Sequence, residues 1–372
     1  MLKTPLHKFH VDHGAQMVEY AGWELPIRYT GIQQEHRQVR ESGGLFDVSH
    51  MGRVYFTGRH ARRILGTLCS RRITDMQNGQ VRYSMICNER GGVKDDVLVY
   101  RLGDTEFMAV CNAGNREKLM EHFEAVRAAD DLKVNIDDRT LKTSMVAIQG
   151  PKVMDLISRI SSEVPTLKRY RFTVKNLVVM KLIVSRTGYT GEDGVEVILP
   201  GPMTEMALKL LLKDVDMDAE DALVKPAGLG ARDSLRLEAG MALYGHELGE
   251  EINALACNVD FAINLDKDQA DRPEPFIGQE ALKKTRDAGG PERRLVGLKL
   301  TGKRSARQGN PVLIGGAEAG EVSSGCMSPT LGCPIAMAFV DSSKTEVGTV
   351  VKVDTGRAVI EGEVVPLPFY KR

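Results

Sequence analysis

Val81-Arg82-Tyr83-Ser84-Met85-Ile86-Cys87-Asn88-Glu89-Arg90-Gly91-Gly92-Val93-Lys94-Asp95-Asp96-Val97-Leu98-Val99-Tyr100-Arg101-Leu102 is the stretch on which the fold turns. Its two ends, residues 81–87 and 97–102, are rich in Val, Tyr, Met and Leu and read as strands around a Gly-Gly turn. Asp95 and Asp96 stand at the entry to the second strand, so their side chains point to opposite faces. Outward from this pair, residues 54–57 and 106–111 also read as strands. Leu119, Met120, Phe123 and Val126 then recur at helical spacing among charges, which predicts an amphipathic helix over 115–129, laid on a sheet. Further strands are expected at 144–149, 177–185 and 195–199, and a helix at 203–212. Strands cluster here instead of alternating strictly with helices, and that favours α+β over a doubly wound sheet.

The pattern changes at the short helix 281–290, closed by Gly289, Gly290 and Pro291. From Arg294 onward short apolar runs (295–300, 311–314, 335–340, 347–353 and 357–365) alternate with Gly, Asn, Ser and Pro turns. This predicts an all-β barrel or sandwich closing the chain. The expected division is 1–288, two interleaved α+β domains, and 289–372, a barrel.

Composition excludes several classes. The 372 residues carry 50 basic and 50 acidic side chains, a net charge of zero, which argues against a surface for nucleic acid or anionic lipid. No apolar run of about 18 residues is present to span a membrane. The start, Met1-Leu2-Lys3-Thr4-Pro5, has neither signal-peptide nor transit character, so the expected location is cytoplasmic. The six cysteines are scattered and never spaced C-x-x-C, and read as reduced and structural. Gly228-Leu229-Gly230-Ala231-Arg232-Asp233 begins like a dinucleotide fingerprint but has Asp in place of the third Gly and lacks a clear preceding parallel strand. His7, His10 and His13 fan across a helix without completing a ligand set, and are expected on the surface; no metal is expected.

Three stretches set Gly, charge and an aromatic beside a strand: Gly43-Gly44-Leu45-Phe46-Asp47-Val48-Ser49-His50-Met51-Gly52, Asn88 to Tyr100, and Ser185-Arg186-Thr187-Gly188-Tyr189-Thr190-Gly191-Glu192-Asp193-Gly194-Val195-Glu196. With Ala21-Gly22-Trp23-Glu24-Leu25-Pro26, Gln149-Gly150-Pro151, Pro226 to Asp233, Ser324-Gly325-Cys326-Met327-Ser328-Pro329-Thr330-Leu331-Gly332 and Pro368-Phe369-Tyr370, they closely resemble the T-proteins of the glycine cleavage system. The likeness runs nearly end to end.

The resemblance implies a multi-domain α+β cloverleaf: two α+β domains around a folate pocket and a C-terminal jelly-roll-like barrel. It implies an aminomethyltransferase with tetrahydrofolate as co-substrate and the lipoylated H-protein as partner, needing no flavin. The family's functional carboxylate matches Asp96; a fixed carboxylate there would orient the pterin nitrogen and stabilise its developing charge. Met51, Tyr83 and Tyr189 match positions enclosing folate, Asn112 can meet a pterin-edge heteroatom, Glu196 matches the acid on the 2-amino/N3 edge, and Arg232 matches a folate-site arginine. An aromatic before Leu177 matches either Tyr170 or Phe172, and Tyr170 is taken as the site residue. The chain departs from the family at Asn253-Ala254-Leu255-Ala256-Cys257-Asn258-Val259-Asp260-Phe261, where Phe261 offers the aromatic face, and at an insertion-like run, 267–275. The alternatives are a folate-binding relative of the iron–sulfur-assembly helpers, whose reactive-cysteine word is missing, and a flavin oxidase's folate domain. Arg59, Arg62, Arg63, Arg71 and Arg72 are candidates for receiving an acidic carrier.

Overall fold

The computed structural model describes residues 1–372 except 178, 179, 214, 218, 270 and 271, with the side chain at 177 also left out. Residues 178–179 of the expected strand 177–185, and 270–271 of the insertion-like run, therefore lie outside the described residues. The chain divides into two units: Met1–Ala61, Met76–Arg82 and Leu98–Leu235 form the first, and Arg62–Asp75, Tyr83–Val97 and Arg236–Arg372 the second. Each is described by itself.

In the first unit a six-stranded sheet runs in the order Phe172–Leu177, Met180–Ser185, Gly194–Pro200, Thr143–Gln149, Gly44–Asp47, Lys225–Pro226. Only the last pair is parallel. Side-chain alternation sorts this sheet into two cores. Met145, Ala147, Ile183 and Ile198 enter one apolar cluster, and Val146, Ile148, Val184, Val195, Val197 and Leu199 enter the other. Glu196 has the parity of Ile198, so the sheet turns a carboxylate toward the first cluster. That cluster also takes Tyr55, Tyr100, Met108 and Val110. These come from strands Gly52–Thr57 and Glu106–Cys111 and from residues 98–101 at the end of strand Val93–Arg101. Helix Arg116–Ala129 buries Leu119 and Phe123, and Phe123 meets Phe56 edge to face at 5.2 Å. The helical spacing of 115–129 predicts this face.

In the second unit Arg293–Leu300, Pro334–Asp341, Ala317–Met327, Pro311–Ile314, Val350–Asp354 and Val359–Val365 close into a barrel in that order. Closure leaves no unpaired sheet edge. Val296, Leu298, Leu300, Ala336, Ala338 and Val340 fill the inside, and the alternate residues Leu295, Ile335 and Met337 pack with Leu237 outside. The α+β reading with a closing all-β barrel is what the fold shows. Strand Ala317–Met327 is not expected from the sequence, because Gly320, Ser323, Ser324 and Gly325 break its apolar pattern. Those residues answer to close packing: a Cβ on Gly320 would stand 2.0 Å from the Phe339 carbonyl oxygen. At a register shift between Val322 and Ser324 both serines are buried, Ser323 against Glu247 and Ser324 against Arg236.

Two local expectations are corrected. His10, expected on the surface, is 1% exposed and bonded through Nε2 to Asp47 at 2.8 Å, with the Tyr29 hydroxyl 2.7 Å from Nδ1. The helix His7–Asp12 turns it inward because Leu6 and His10, four apart, share a face. A parallel strand does precede Gly228: Lys225–Pro226, two residues long, beside Gly44–Asp47. The six cysteines form no disulfide, and among the described residues no helix is long and apolar enough to cross a membrane.

Candidate functional site

The first unit carries two loops whose backbones are bonded almost atom by atom. Residues 48–51 join strands Gly44–Asp47 and Gly52–Thr57. Asp47 Oδ1 accepts the Ser49 amide at 2.9 Å, and the Ser49 hydroxyl donates to the Met145 carbonyl at 3.1 Å. Fully buried Arg53 donates to the carbonyls of Ser49 (2.9 Å), Met51, Thr140 and Thr143 (2.9 Å). Burial pulls the Arg53 guanidinium down to about 10, still charged at neutral pH. Burial alone would raise Asp47; the His10 bond and charge, the Ser49 amide and the Thr4 hydroxyl outweigh it and hold the carboxyl below its usual range. The loop fixes Met51, half-buried against the first apolar cluster, and His50, 3% exposed.

Residues 186–193 form the second loop, between strands Met180–Ser185 and Gly194–Pro200. Arg186 clamps Asp193 through Nε at 3.0 Å and Nη2 at 2.5 Å. Buried Arg40 reaches the Thr190 carbonyl at 2.7 Å and the Glu192 carboxylate at 3.0 Å. Gly188 is required, since a Cβ there would sit 1.8 Å from Gln149 Oε1. So held, the loop presents Tyr189, and the Arg232 guanidinium lies over its ring at 4.8 Å. Arg232 comes from helix Leu229–Glu238, whose start is set by close packing: a Cβ on Gly228 would meet the Ile27 carbonyl oxygen at 2.4 Å. The glycines that imitate a dinucleotide fingerprint are there for that approach, and the Gly228 amide donates to Glu35 at 2.8 Å.

Glu196 is 4% exposed, and the Thr187 hydroxyl donates to its Oε2 at 2.5 Å. Behind it runs a chain of hydroxyls, Thr187 to Ser185 at 2.8 Å and Ser185 to Tyr100 at 3.0 Å. Burial pushes the carboxyl above its ordinary value, opposed by the Thr187 bond and the Arg232 charge. His50 is held neutral: burial first, then the Arg232 charge, take it down to about 3. Two buried atoms of this group, His50 Nδ1 and Arg232 Nη1, have no hydrogen-bond partner among the described residues. A buried polar atom is expensive to leave so; Arg62 Nε and His122 Nε2 are two more such atoms among the described residues.

The second unit holds Asp96. Asn88 Oδ1 accepts the amides of Arg90 and Gly92, both at 3.0 Å, closing the turn before strand Val93–Arg101. Val93 N–H bonds the Gly249 carbonyl at 2.9 Å, and a Cβ on Gly92 would collide with the Glu250 carbonyl at 1.8 Å. Strand alternation then buries Asp95 completely and leaves Asp96 half-buried, as the opposite-face reading expects. The Tyr83 hydroxyl donates to Asp96 Oδ2 at 3.0 Å, and the Tyr83 ring stacks on Phe261 at 5.9 Å and 21°. Phe261 is 62% exposed, while Ala254, Cys257 and Val259 of the departing segment are core. The insertion-like run is anchored as well: buried Lys267 donates to the carbonyls of Gly66 (2.8 Å) and Cys69 (2.7 Å) at the end of helix Ala61–Leu68.

Of the expected site residues, the structure brings Tyr83, Asp96 and Phe261 together in one unit, and Tyr189, Arg232 and Glu196 in the other. Asn112 opens the short turn Ala113–Asn115, half-buried. Tyr170 is 44% exposed at φ 59°, whereas Phe172 is buried against Tyr100. His50, Arg53, Arg40 and Glu35 were not foreseen as site-building residues; only the position of His50 beside Met51 signalled it. No group of three or more His, Cys, Asp or Glu among the described residues is arranged to hold a metal.

Comparison with known proteins gives a consistent result. Residues 6–267 match the family described as GCVT N-terminal domain, and residues 293–371 match the glycine cleavage T-protein C-terminal barrel domain. An aminomethyltransferase of Rubrobacter xylanophilus is 44% identical over 372 residues, all of this chain and 94% of that protein. One from Saccharopolyspora erythraea is 41% identical, over all of this chain and 98% of that protein. The crystal structure of glycine cleavage system aminomethyltransferase T from Bartonella henselae superposes with a TM-score of 0.89 at 30% identity, over 100% of this chain and 98% of the other.

Proposed function

Because the chain belongs to the glycine cleavage T-protein family, we propose that it is an aminomethyltransferase of the glycine cleavage system. It takes the aminomethyl group carried as a thioether on the lipoyl arm of the H-protein and delivers the carbon to tetrahydrofolate. The products are 5,10-methylenetetrahydrofolate, ammonia and dihydrolipoyl H-protein, and the work is cytoplasmic. Carbon–sulfur and carbon–nitrogen bonds break, two bonds to the folate nitrogens form, and the two N–H protons leave with sulfur and ammonia. Residues 1–288 constitute the folate-binding region and 289–372 the barrel.

The Asp96 carboxylate, steadied by the Tyr83 hydroxyl at 3.0 Å, is the single observation that carries this reading. A carboxylate so fixed and half-buried orients the folate amine and stabilises positive charge as it captures the carbon. Positioning contributes as well, since both reactants arrive bound. The other groups suit the acceptor: Glu196 can accept two N–H bonds from a pterin edge, Arg232 has an unpartnered donor, and Tyr83, Phe261, Tyr189 and Met51 offer flat or apolar walls. Asn112 and Tyr170 are assigned to the same ligand. No flavin or metal enters the reaction.

A reconstituted assay with aminomethylated lipoyl H-protein tests the proposal. Methylenetetrahydrofolate and ammonia are expected to form together, only with tetrahydrofolate present. Absence of both products with a competent carrier would overturn the assignment.

A further inference from the structure

Lys168-Arg169-Tyr170-Arg171 forms a turn of the first unit that carries more positive charge than its surroundings answer. The Arg171 amide closes it on the Lys168 carbonyl at 3.1 Å. Bonds from both sides hold it in place. The Tyr170 amide donates to the Arg186 carbonyl at 3.0 Å, and the Val81 amide to the Tyr170 carbonyl at 2.9 Å. The Arg186 guanidinium donates to the carbonyls of Pro165 at 3.1 Å and Leu167 at 2.5 Å, just ahead of the turn. Tyr170, third in the turn, has φ 59° and is exposed. That backbone suits glycine, so an aromatic residue kept there against the local cost points to a contact made by its ring. The neighbouring acids are already engaged: Asp193 by Arg186 at 3.0 Å, and Glu163 by Lys175. Lys168 and Arg169 are exposed, and their side chains make no hydrogen bond or ion pair with the described residues. Arg171 reaches the neutral Gln77 side chain at 3.2 Å.

We infer that this turn is a subsite for a γ-linked oligoglutamate tail on the folate. Lys168, Arg169 and Arg171 receive its carboxylates, and the Tyr170 ring lies against the stem that leads to them. The inference rests on the proposed function, with Glu196 at the pterin edge, and names the form of folate that the site takes. Register supplies the geometry. Phe172, Ser185 and Glu196 stand directly opposite one another on three neighbouring strands, and Phe172 and Ile198, which has the parity of Glu196, enter the same cluster. Two strand spacings put Phe172 about 10 Å from Glu196, and the turn lies immediately beyond it. The glutamyl end of a folate is the end remote from the pterin edge, and each added γ-glutamate brings one more carboxylate. A guanidinium grips a carboxylate through two parallel bonds, and an ammonium takes it as a point charge. Three uncompensated cations within one turn therefore suit a chain of acids better than a single one. Because the turn is pinned before any ligand arrives, little backbone ordering opposes binding.

The test titrates the full chain with tetrahydrofolate monoglutamate and with tetrahydrofolate pentaglutamate, by calorimetry. Wild type should bind the pentaglutamate at least about tenfold more tightly. That ratio should shrink as salt rises from about 50 to about 300 mM. In the double variant Lys168→Gln/Arg169→Gln it should fall to about twofold or less. Equal affinity of wild type for the two forms would overturn the inference, and so would a double variant that keeps the wild-type ratio. If that variant keeps the ratio but needs more lipoyl H-protein for half-maximal turnover, the turn receives the acidic carrier and the inference is likewise overturned. Should wild type bind neither form, the functional reading fails along with this one; if it binds both without preference, only this one does. Misfolding of the double variant leaves the salt dependence of the wild-type ratio to decide.

Discussion

Glu196 is an acid among Val195, Val197 and Ile198, and that contrast alone marks it in the sequence. A carboxylate that costs burial energy on an apolar strand fits the proposed role of Glu196 at a pterin edge. Glu196→Gln leaves one of its two acceptors in place and should weaken tetrahydrofolate binding by about 10- to 100-fold with little change in melting temperature, as titration calorimetry would show. Unchanged affinity would remove it from the site. His50 makes a second prediction at this scale. Its pKa is about 3 in the folded chain against 6.5 when free, so between those values the unfolded chain takes up a proton that the native one refuses. Stability must therefore fall as pH drops through that window, by about 1.4 kcal/mol per pH unit. Urea titrations at pH 7 and pH 5 should show His50→Leu gaining about 2 kcal/mol on wild type at the lower pH; a constant gap would contradict the buried neutral imidazole. Asp96 and Glu196 are legible because their local words are distinctive. Arg53 and Glu35 are not, because their partners, Thr140, Thr143 and Gly228, are distant in the chain.

The elements teach a different lesson. Strands 81–87 and 106–111 are readable from their apolar, strand-favouring residues, the second being buried on both faces, and helix 115–129 from its periodicity, because it buries one apolar face. Strand Ala317–Met327 is not, since its glycines and serines serve neighbours far along the chain: Ser323 donates to Glu247 at 2.6 Å, and Arg236 to Ser324 at 2.8 Å. The 186–193 loop shows the same dependence. Its turn is written locally in Gly188 and Gly191, but its rigidity comes from Arg40 on helix Ile32–Glu41. Removing Arg40 would take a charge partner from the fully buried Glu192 carboxylate. Arg40→Ala is therefore expected to cost about 3–5 kcal/mol in chemical denaturation, and to weaken folate binding because Tyr189 loses its support. A loss below 1 kcal/mol would show that the pair is not what holds the loop.

At the scale of the whole molecule, the family words legible in the sequence run from the first strand to the last, and the barrel announces itself by the absence of helices after residue 294. The division into units was not legible: segments Arg62–Asp75 and Tyr83–Val97 join residues beyond 236, and nothing in their local pattern says so. Net charge is zero, so docking of the proposed acidic carrier would depend on local patches. Arg59 and Arg63 are exposed, while Arg72 is engaged with the Lys267 carbonyl at 3.1 Å. Turnover with the lipoyl carrier at subsaturating concentration should fall as salt rises from 50 to 300 mM, roughly as screening lengths shorten below about 10 Å; a flat response would exclude steering by these arginines. The central claim is that one carboxylate assists the carbon's passage from sulfur to nitrogen, and it is tested most directly by single-turnover kinetics of Asp96→Asn beside its tetrahydrofolate affinity. Retained binding with the transfer rate reduced at least about 100-fold is the predicted result. Transfer at the wild-type rate by a variant that binds normally would contradict it.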